Sequence, residues 1–446
     1  MIVDSVLANA KAYFKQAIVD CSIAFNEGKI VKIGRESSMP PADARIDLKN
    51  HLVLPGLIDA HVHLRDEGNS YKEDFLSGTA AAAAGGMTTV LDMPNNEPVT
   101  MSAEALKNRM KIAEARILVD VGFRSEFPRD IGEIEGIVRE GPVGFKLFMA
   151  NQVGGLDVND DEAMLKAFKA VDKLKVSTSV HAEDEQMLKR AESELRRRGQ
   201  NDVAAFLKAH SENVELKAVT RVLDMTKQGN VNVHFCHVST QNGLRAIAAG
   251  KKSGMLISCE ATPHHLLLTA DDLKTTGSLG LTMPPVRKNQ HAEALWEGIR
   301  NGWVDIVASD HAPHAIGEKE AETVWDVKVG IPGLETTLPL LLTQVKRGRI
   351  SIGNVARLMS ENPAEIFNLN GKGFLREGNN ADLTVVDLRK KFRIDASGFQ
   401  SKAKFSPFDG WEVEGKPAKT FVGGQLIMDE GEIIAKPGSG RVIRKQ

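Results

Sequence analysis

Eight short apolar runs, beginning near Leu52, Met87, Ile117, Val143, Val176, Val231, Met255 and Val304, recur along the chain. Each is followed by residues able to form a loop or a helix. Strand-like runs alternating with helical ones demand parallel strands, because the intervening helix must carry the chain back before the next strand starts. Eight such units are the complement of a closed (β/α)8 barrel. Helical patterning is expected over 103–115, 161–174, 183–198 and 203–227, the last two charged enough to lie outside the barrel. The alanine run Ala80-Ala81-Ala82-Ala83-Ala84 reads as ordinary helix.

The ends of the chain have another texture. Residues 18–25 and 29–33 are β-prone and separated by the turn signal Glu27-Gly28. ADLTVVDL from Ala381 and KTFVGGQLIMDEGEIIA from Lys419 again read as short strands with glycine turns. The two ends are expected to pair, giving a composite β-sandwich domain from 1–54 plus 376–446 beside a barrel over 55–375. A chain of 446 residues is long enough for both.

The formal net charge of −2 gives no electrostatic reason to bind nucleic acid or an anionic membrane, so a small soluble partner is expected. Cys21, Cys236 and Cys259 are scattered and form no CxxC pair, which fits a reducing cytoplasm. The start, MIVDSVLANAKAYFK, has an early acid and no long apolar core, and no run approaches the roughly 20 apolar residues of a membrane span. A soluble, unprocessed protein is the expectation.

The chemistry is concentrated at strand ends. In LPGLIDAHVHLRD, His61 and His63 alternate on a strand and face the same side, so both imidazoles can reach one metal. Alone, such a pair is more often two partly exposed strand histidines. Here His181 in VSTSVHAED, His237 in VNVHFCHVST and Asp310 in VDIVASDHAPH occupy matching positions on later strands. The C-terminal strand ends of a barrel converge on one mouth, so these residues can share a metal site.

Together DAHVHLRD, GFKLFMA, VHAED, HVST and ASDHAPH resemble the motif series of the cyclic amidohydrolases, which include dihydroorotases, hydantoinases or dihydropyrimidinases, and allantoinases. The resemblance runs from about Leu54 to the end of the barrel, and a terminal β-domain split between the chain ends is also a feature of that family. It implies two divalent metal ions, one held by His61, His63 and Asp310 and the other by His181 and His237. It further implies that Lys146, in GFKLFMA, is carboxylated and bridges both ions, since an unmodified ammonium has no acceptor. Mixed imidazole and carboxylate ligation suits zinc, while manganese, cobalt and iron accept the same ligand types. Two close ions are expected to turn a bridging water into a hydroxide nucleophile, with Asp310 passing its proton to the departing nitrogen. A homodimer or larger homo-oligomer is implied by the same resemblance.

Substrate choice within such a family must come from groups that face the ring substituents. Arg65 can grip a carboxylate through two parallel hydrogen bonds, and Asn95 in MPNNEP and His314 in HAPH resemble the rest of a carboxylate clamp. This favours the dihydroorotase branch and reversible hydrolysis of (S)-dihydroorotate to N-carbamoyl-L-aspartate in pyrimidine synthesis. An allantoinase, a hydantoinase or a non-catalytic scaffold are the alternatives. Arg65 could instead pair with Asp66 or Glu67, Asn95 shape a turn, and His314 cap a loop. Asp66-Glu67-Gly68 stands where such chains usually carry Pro-Gly, and Met283 in LTMPPVR where asparagine is frequent. His264 and His265 are expected to support the site without ligating, and Glu335 to cap the helix that follows it.

Overall fold

The computed structural model describes residues 2–445. Each expected barrel unit forms, and the eight strands Leu57–Val62, Met87–Asp92, Asp120–Glu126, Gly144–Phe148, Ser177–His181, Val233–Phe235, Ile257–Ala261 and Ile306–Val307 follow one another in chain order around a parallel sheet. The first three are buried at every position, as parallel strands covered on both faces must be. A parallel bridge between Val62 and His311, with the His63 N–H donating to the His311 carbonyl at 2.8 Å, joins the last unit to the first.

The run beginning at Leu52 divides in two. Leu52–Pro55 belongs to the terminal sheet, and the barrel begins at Leu57. Only Gly56 separates them, packed so tightly against Thr88 and Asp382 that a side chain there would collide with both.

The helices begin where acidic and hydroxyl caps predict. Asp160 caps Asp161–Lys173, Asp184 caps Glu185–Arg197, and Asp74 and Ser77 form a capping box on Phe75–Ala84. The helix expected over 203–227 is two, Val203–Ala209 and Glu212–Gly229, broken at His210. The His210 Nδ1 lies 2.9 Å from the Glu183 carboxylate, a contact that takes its ring toward the barrel mouth.

Strands from the two ends of the chain build one nine-stranded sheet. Its seam is the antiparallel pairing of Leu52–Pro55 with Leu383–Arg393. Glu27 and Gly28, both at positive φ, make the tight turn between Ala17–Asn26 and Lys29–Gly34. The sheet curls on itself: Phe25 and Phe421 meet edge to face at 6.1 Å, although three strands separate theirs in hydrogen-bonding order. The buried Lys372 ammonium ties this sheet to the barrel, 2.7 Å from both Asp120 and Asp382. Beyond the terminal sheet, Val442–Ile443 returns to pair with barrel strand Asp120–Glu126.

Candidate active site

His61 is the penultimate residue of the first barrel strand and His63 lies just past its end, two residues on, so the pleat directs both rings to one side, 5.3 Å apart. Asp310 lies just beyond the last strand, at a left-handed φ of 49°. Its Oδ1 stands 3.3 Å from the His61 Nε2 and 3.4 Å from the His63 Nε2. On the neighbouring side, the His181 Nδ1 and the His237 Nε2 are 3.1 Å apart. Donor atoms held tetrahedrally by one zinc at about 2.0–2.2 Å stand about 3.3–3.6 Å from each other, and all three separations are close to that edge. The His61 and His237 rings are 5.2 Å apart, so the two groups are contiguous.

The outward ring nitrogens are tied to oxygen acceptors. Glu260 receives the His61 Nδ1–H at 2.5 Å, Asn95 Oδ1 the His63 Nδ1–H at 2.6 Å, and Glu183 the His181 Nε2–H at 3.0 Å. Each contact fixes a tautomer whose free lone pair faces the cluster, the usual arrangement behind metal-binding imidazoles. The His237 Nδ1 is buried without a partner. Burial pushes the His61 imidazole down to about 4 against the opposing pull of Glu260, and burial likewise takes His63 and His237 well below the ordinary range. All three are therefore neutral and able to donate a lone pair. Burial raises the Asp310 carboxyl, opposed chiefly by His61.

Lys146, fully buried on strand Gly144–Phe148, donates to the Cys236 Sγ at 3.0 Å and lies over the Phe148 ring. It forms no ion pair among the described residues. The donor set and the inward-facing nitrogens fit a divalent metal centre.

These groups open into a cavity of about 430 Å³ that Arg65, Asn95, Met283 and His314 also line. Arg65 is buried, its Nε 3.3 Å from the Pro313 carbonyl and its Nη2 3.3 Å from the His314 Nε2. The carboxylates beside it in sequence are engaged elsewhere, Asp66 with Arg116 and Glu67 with Asn108. Arg65 thus carries a buried positive charge into the cavity with no ion-pair partner among the described residues. Burial first, and then the neighbouring cations Arg65 and Lys72, depress His314 far below the ordinary imidazole range and keep it neutral. Asn95 lines the cavity but spends its carbonyl oxygen on His63, leaving its amide hydrogens for any ligand. Met283 receives the Asn151 side-chain N–H on its sulfur at 3.1 Å.

Glu260, Glu183 and Glu215 were not singled out from the sequence. Glu260 also engages His234 and the His237 N–H, and Glu215 accepts both the Ser239 and Thr240 N–H groups in the HVST loop. A lone acid next to the end of a buried barrel strand, as in ISCEA, is the signal that could have found Glu260. His265 bonds Thr262 and the Pro284 carbonyl, while Glu335 caps no helix and instead receives the N–H groups of Gln400 and Ser401.

A parallel barrel with buried imidazoles and a carboxylate gathered at its C-terminal mouth defines a metal-dependent hydrolase centre. Residues 52–427 match the amidohydrolase family, and the chain belongs to it. It is 39% identical over 425 residues to a dihydroorotase of Methanothermobacter thermautotrophicus, covering 95% of this chain and 94% of that one. An L-hydantoinase of Paenarthrobacter aurescens is 33% identical, with 99% and 98% covered. Among solved structures, the L-hydantoinase (dihydropyrimidinase) from Arthrobacter aurescens superimposes with a TM-score of 0.96 at 32% identity over 100% of both chains. No helix among the described residues is long and apolar enough to cross a membrane.

Proposed function

We propose that this protein is a dihydroorotase. It would hydrolyse a ring amide of (S)-dihydroorotate reversibly to N-carbamoyl-L-aspartate, in pyrimidine synthesis in the cytoplasm. The observation that carries this reading is the unpaired Arg65 guanidinium in the cavity beside the histidine cluster, since a buried cation needs an anion and dihydroorotate brings a carboxylate. His314 and the Asn95 amide would complete the clamp. The dihydroorotase relatives, at 39% identity and below, support the same substrate.

His61, His63 and Asp310 would hold one divalent ion, His181 and His237 a second, and Lys146, carboxylated, would bridge them. An ammonium buried in direct contact with a thiol and an aromatic ring, and in no ion pair, is costly; loss of its protons and addition of carbon dioxide at the nitrogen would replace the cation by an anionic carbamate with two acceptor oxygens. The imidazole-rich set favours zinc. Two such ions supply a polarised scissile carbonyl and a water of lowered pKa. Asp310, its own carboxyl raised by burial, would take the proton of the attacking water and deliver it to the ring nitrogen as the C–N bond breaks. The hydroxyl ends on the carbonyl carbon and the hydrogen on the nitrogen.

The close superposition on an L-hydantoinase favours a second reading, hydrolysis of an uncharged ring. Purified, metal-loaded protein should be assayed in parallel with dihydroorotate, dihydrouracil, a 5-substituted hydantoin and allantoin. Turnover of dihydroorotate supports the proposal; turnover of the uncharged rings alone overturns it. No turnover of any of them, with less than one metal ion per chain, would leave the scaffold reading.

A further inference from the structure

Asp310 is held in a backbone conformation that costs a non-glycine residue energy, so its neighbours must enforce it. On one side the Ser309 N–H is clamped by both Asp59 oxygens at 3.1 Å. On the other, His311 is fixed at its backbone and at both ends of its ring. Its carbonyl accepts from the His63 N–H, and its Nδ1 accepts from the Gly333 N–H at 3.2 Å. The ring hydrogen is thereby assigned to Nε2, which donates to Glu73 at 3.2 Å.

Glu73 is fully buried and has no part in the chemistry described above. Besides His311 it accepts from the Ser77 and Ser401 hydroxyls and from the Lys402 N–H. Ser401 and Lys402 lie in an excursion, residues 394–411, between strands Leu383–Arg393 and Glu412–Val422 of the terminal sheet. The excursion is pinned to the barrel mouth twice more, by Glu335 on the N–H groups of Gln400 and Ser401 and by the Lys402 ammonium 2.6 Å from Asp74. A continuous chain of contacts thus runs from the terminal sheet through Ser401, Glu73 and His311 to the backbone of Asp310.

We propose that Glu73 is a positioning residue for the hydrolysis, holding Asp310 through His311, and that the 394–411 excursion is the element that fixes Glu73. The inference rests on the reading of Asp310 as the proton carrier. A tie that served stability alone would share the geometry but not the kinetic signature.

The test uses full-length, metal-loaded Glu73→Gln, Ser401→Ala, His311→Gln and the double variant Glu73→Gln/His311→Gln, with kcat, KM, the pH profile of kcat and bound metal measured for each. Glu73→Gln should lower kcat about 10- to 100-fold, as expected when a reacting group is displaced, while KM and bound metal stay within twofold. The pH profile of kcat should move with it. Ser401→Ala should lower kcat about threefold or more at unchanged KM. The double variant should lose no more than the worse single one, because both act through one contact.

The proposal is overturned if Glu73→Gln keeps kcat within twofold, if KM rises and metal content falls in step with the loss of kcat, or if the two substitutions multiply. Should Glu73→Gln fail to fold, Ser401→Ala decides: an unchanged kcat overturns the proposal. If the wild-type protein ignores dihydroorotate but opens a hydantoin, the substrate assignment fails and the same ratios, measured on the hydantoin, still judge Glu73.

Discussion

Glu260 receives the Nδ1–H of His61 at 2.5 Å, with both side chains excluded from solvent. The same carboxylate engages His234 and the His237 N–H, so one acid organises both halves of the histidine cluster. Its pKa falls well below the ordinary range although burial opposes this, because the His61 and His234 imidazoles outweigh desolvation.

Glu260→Gln is therefore expected to weaken metal binding about 10- to 100-fold, because an amide cannot accept equally well from both imidazoles. Titration against a competing chelator measures this, and affinity unchanged from wild type would refute the role.

Arg65→Met should lower kcat/KM for dihydroorotate by about 10- to 100-fold, the worth of a charge-assisted bidentate contact, with most of the loss in KM. Activity on an uncharged cyclic amide should change little. Equal losses on both substrates would show that Arg65 is not reading a carboxylate.

The buried histidines make the metal-free protein sensitive to acid. Burial depresses His265 to about 3, despite the opposing pull of the Pro284 carbonyl. The unfolded chain, with an imidazole pKa near 6.5, then binds the extra proton first. Stability is present above about 6.5 and is lost progressively as pH falls toward 3. Urea unfolding of the metal-free protein at pH 7, 5.5 and 4 should give falling midpoints, with a shallower fall for His265→Gln. A flat midpoint over that window contradicts the prediction.

Lys372→Met leaves the carboxylates of Asp120 and Asp382 buried together without their cation. A loss of about 3–5 kcal/mol in unfolding free energy is expected from breaking such a buried pair, read from denaturant curves. A change below about 1 kcal/mol would mean that water compensates both acids.

The barrel was legible because fully buried parallel strands must be apolar along their whole length, and helices must separate them. The Leu52 run misled for the same reason: two buried strands joined by one glycine read as a single run. The helix break at His210 was not legible, and the partner of its ring there, Glu183, is distant in sequence and adjacent only in the fold. His61, His63, His181, His237 and Asp310 were legible because strand ends converge in a barrel. Glu260 and Glu73 were not, because a carboxylate acting on an imidazole far away in sequence leaves no local pattern. The pairing of Asn95 with His63 was hidden similarly, since the motif names the residue but not the atom it spends.

The seam between Leu52–Pro55 and Leu383–Arg393 also sets a timetable for biosynthesis. The ribosome adds roughly 5–20 residues per second, so the first half of the terminal sheet waits roughly tens of seconds for its partner strand. Throughout that interval the nascent chain exposes the edge of Leu52, Val53 and Leu54, side chains that end fully covered. An open apolar edge recruits other strands, including those of a neighbouring nascent copy. An unpaired edge during synthesis is thus a hazard built into this topology, and a holding chaperone acting before residue 383 emerges is its natural remedy.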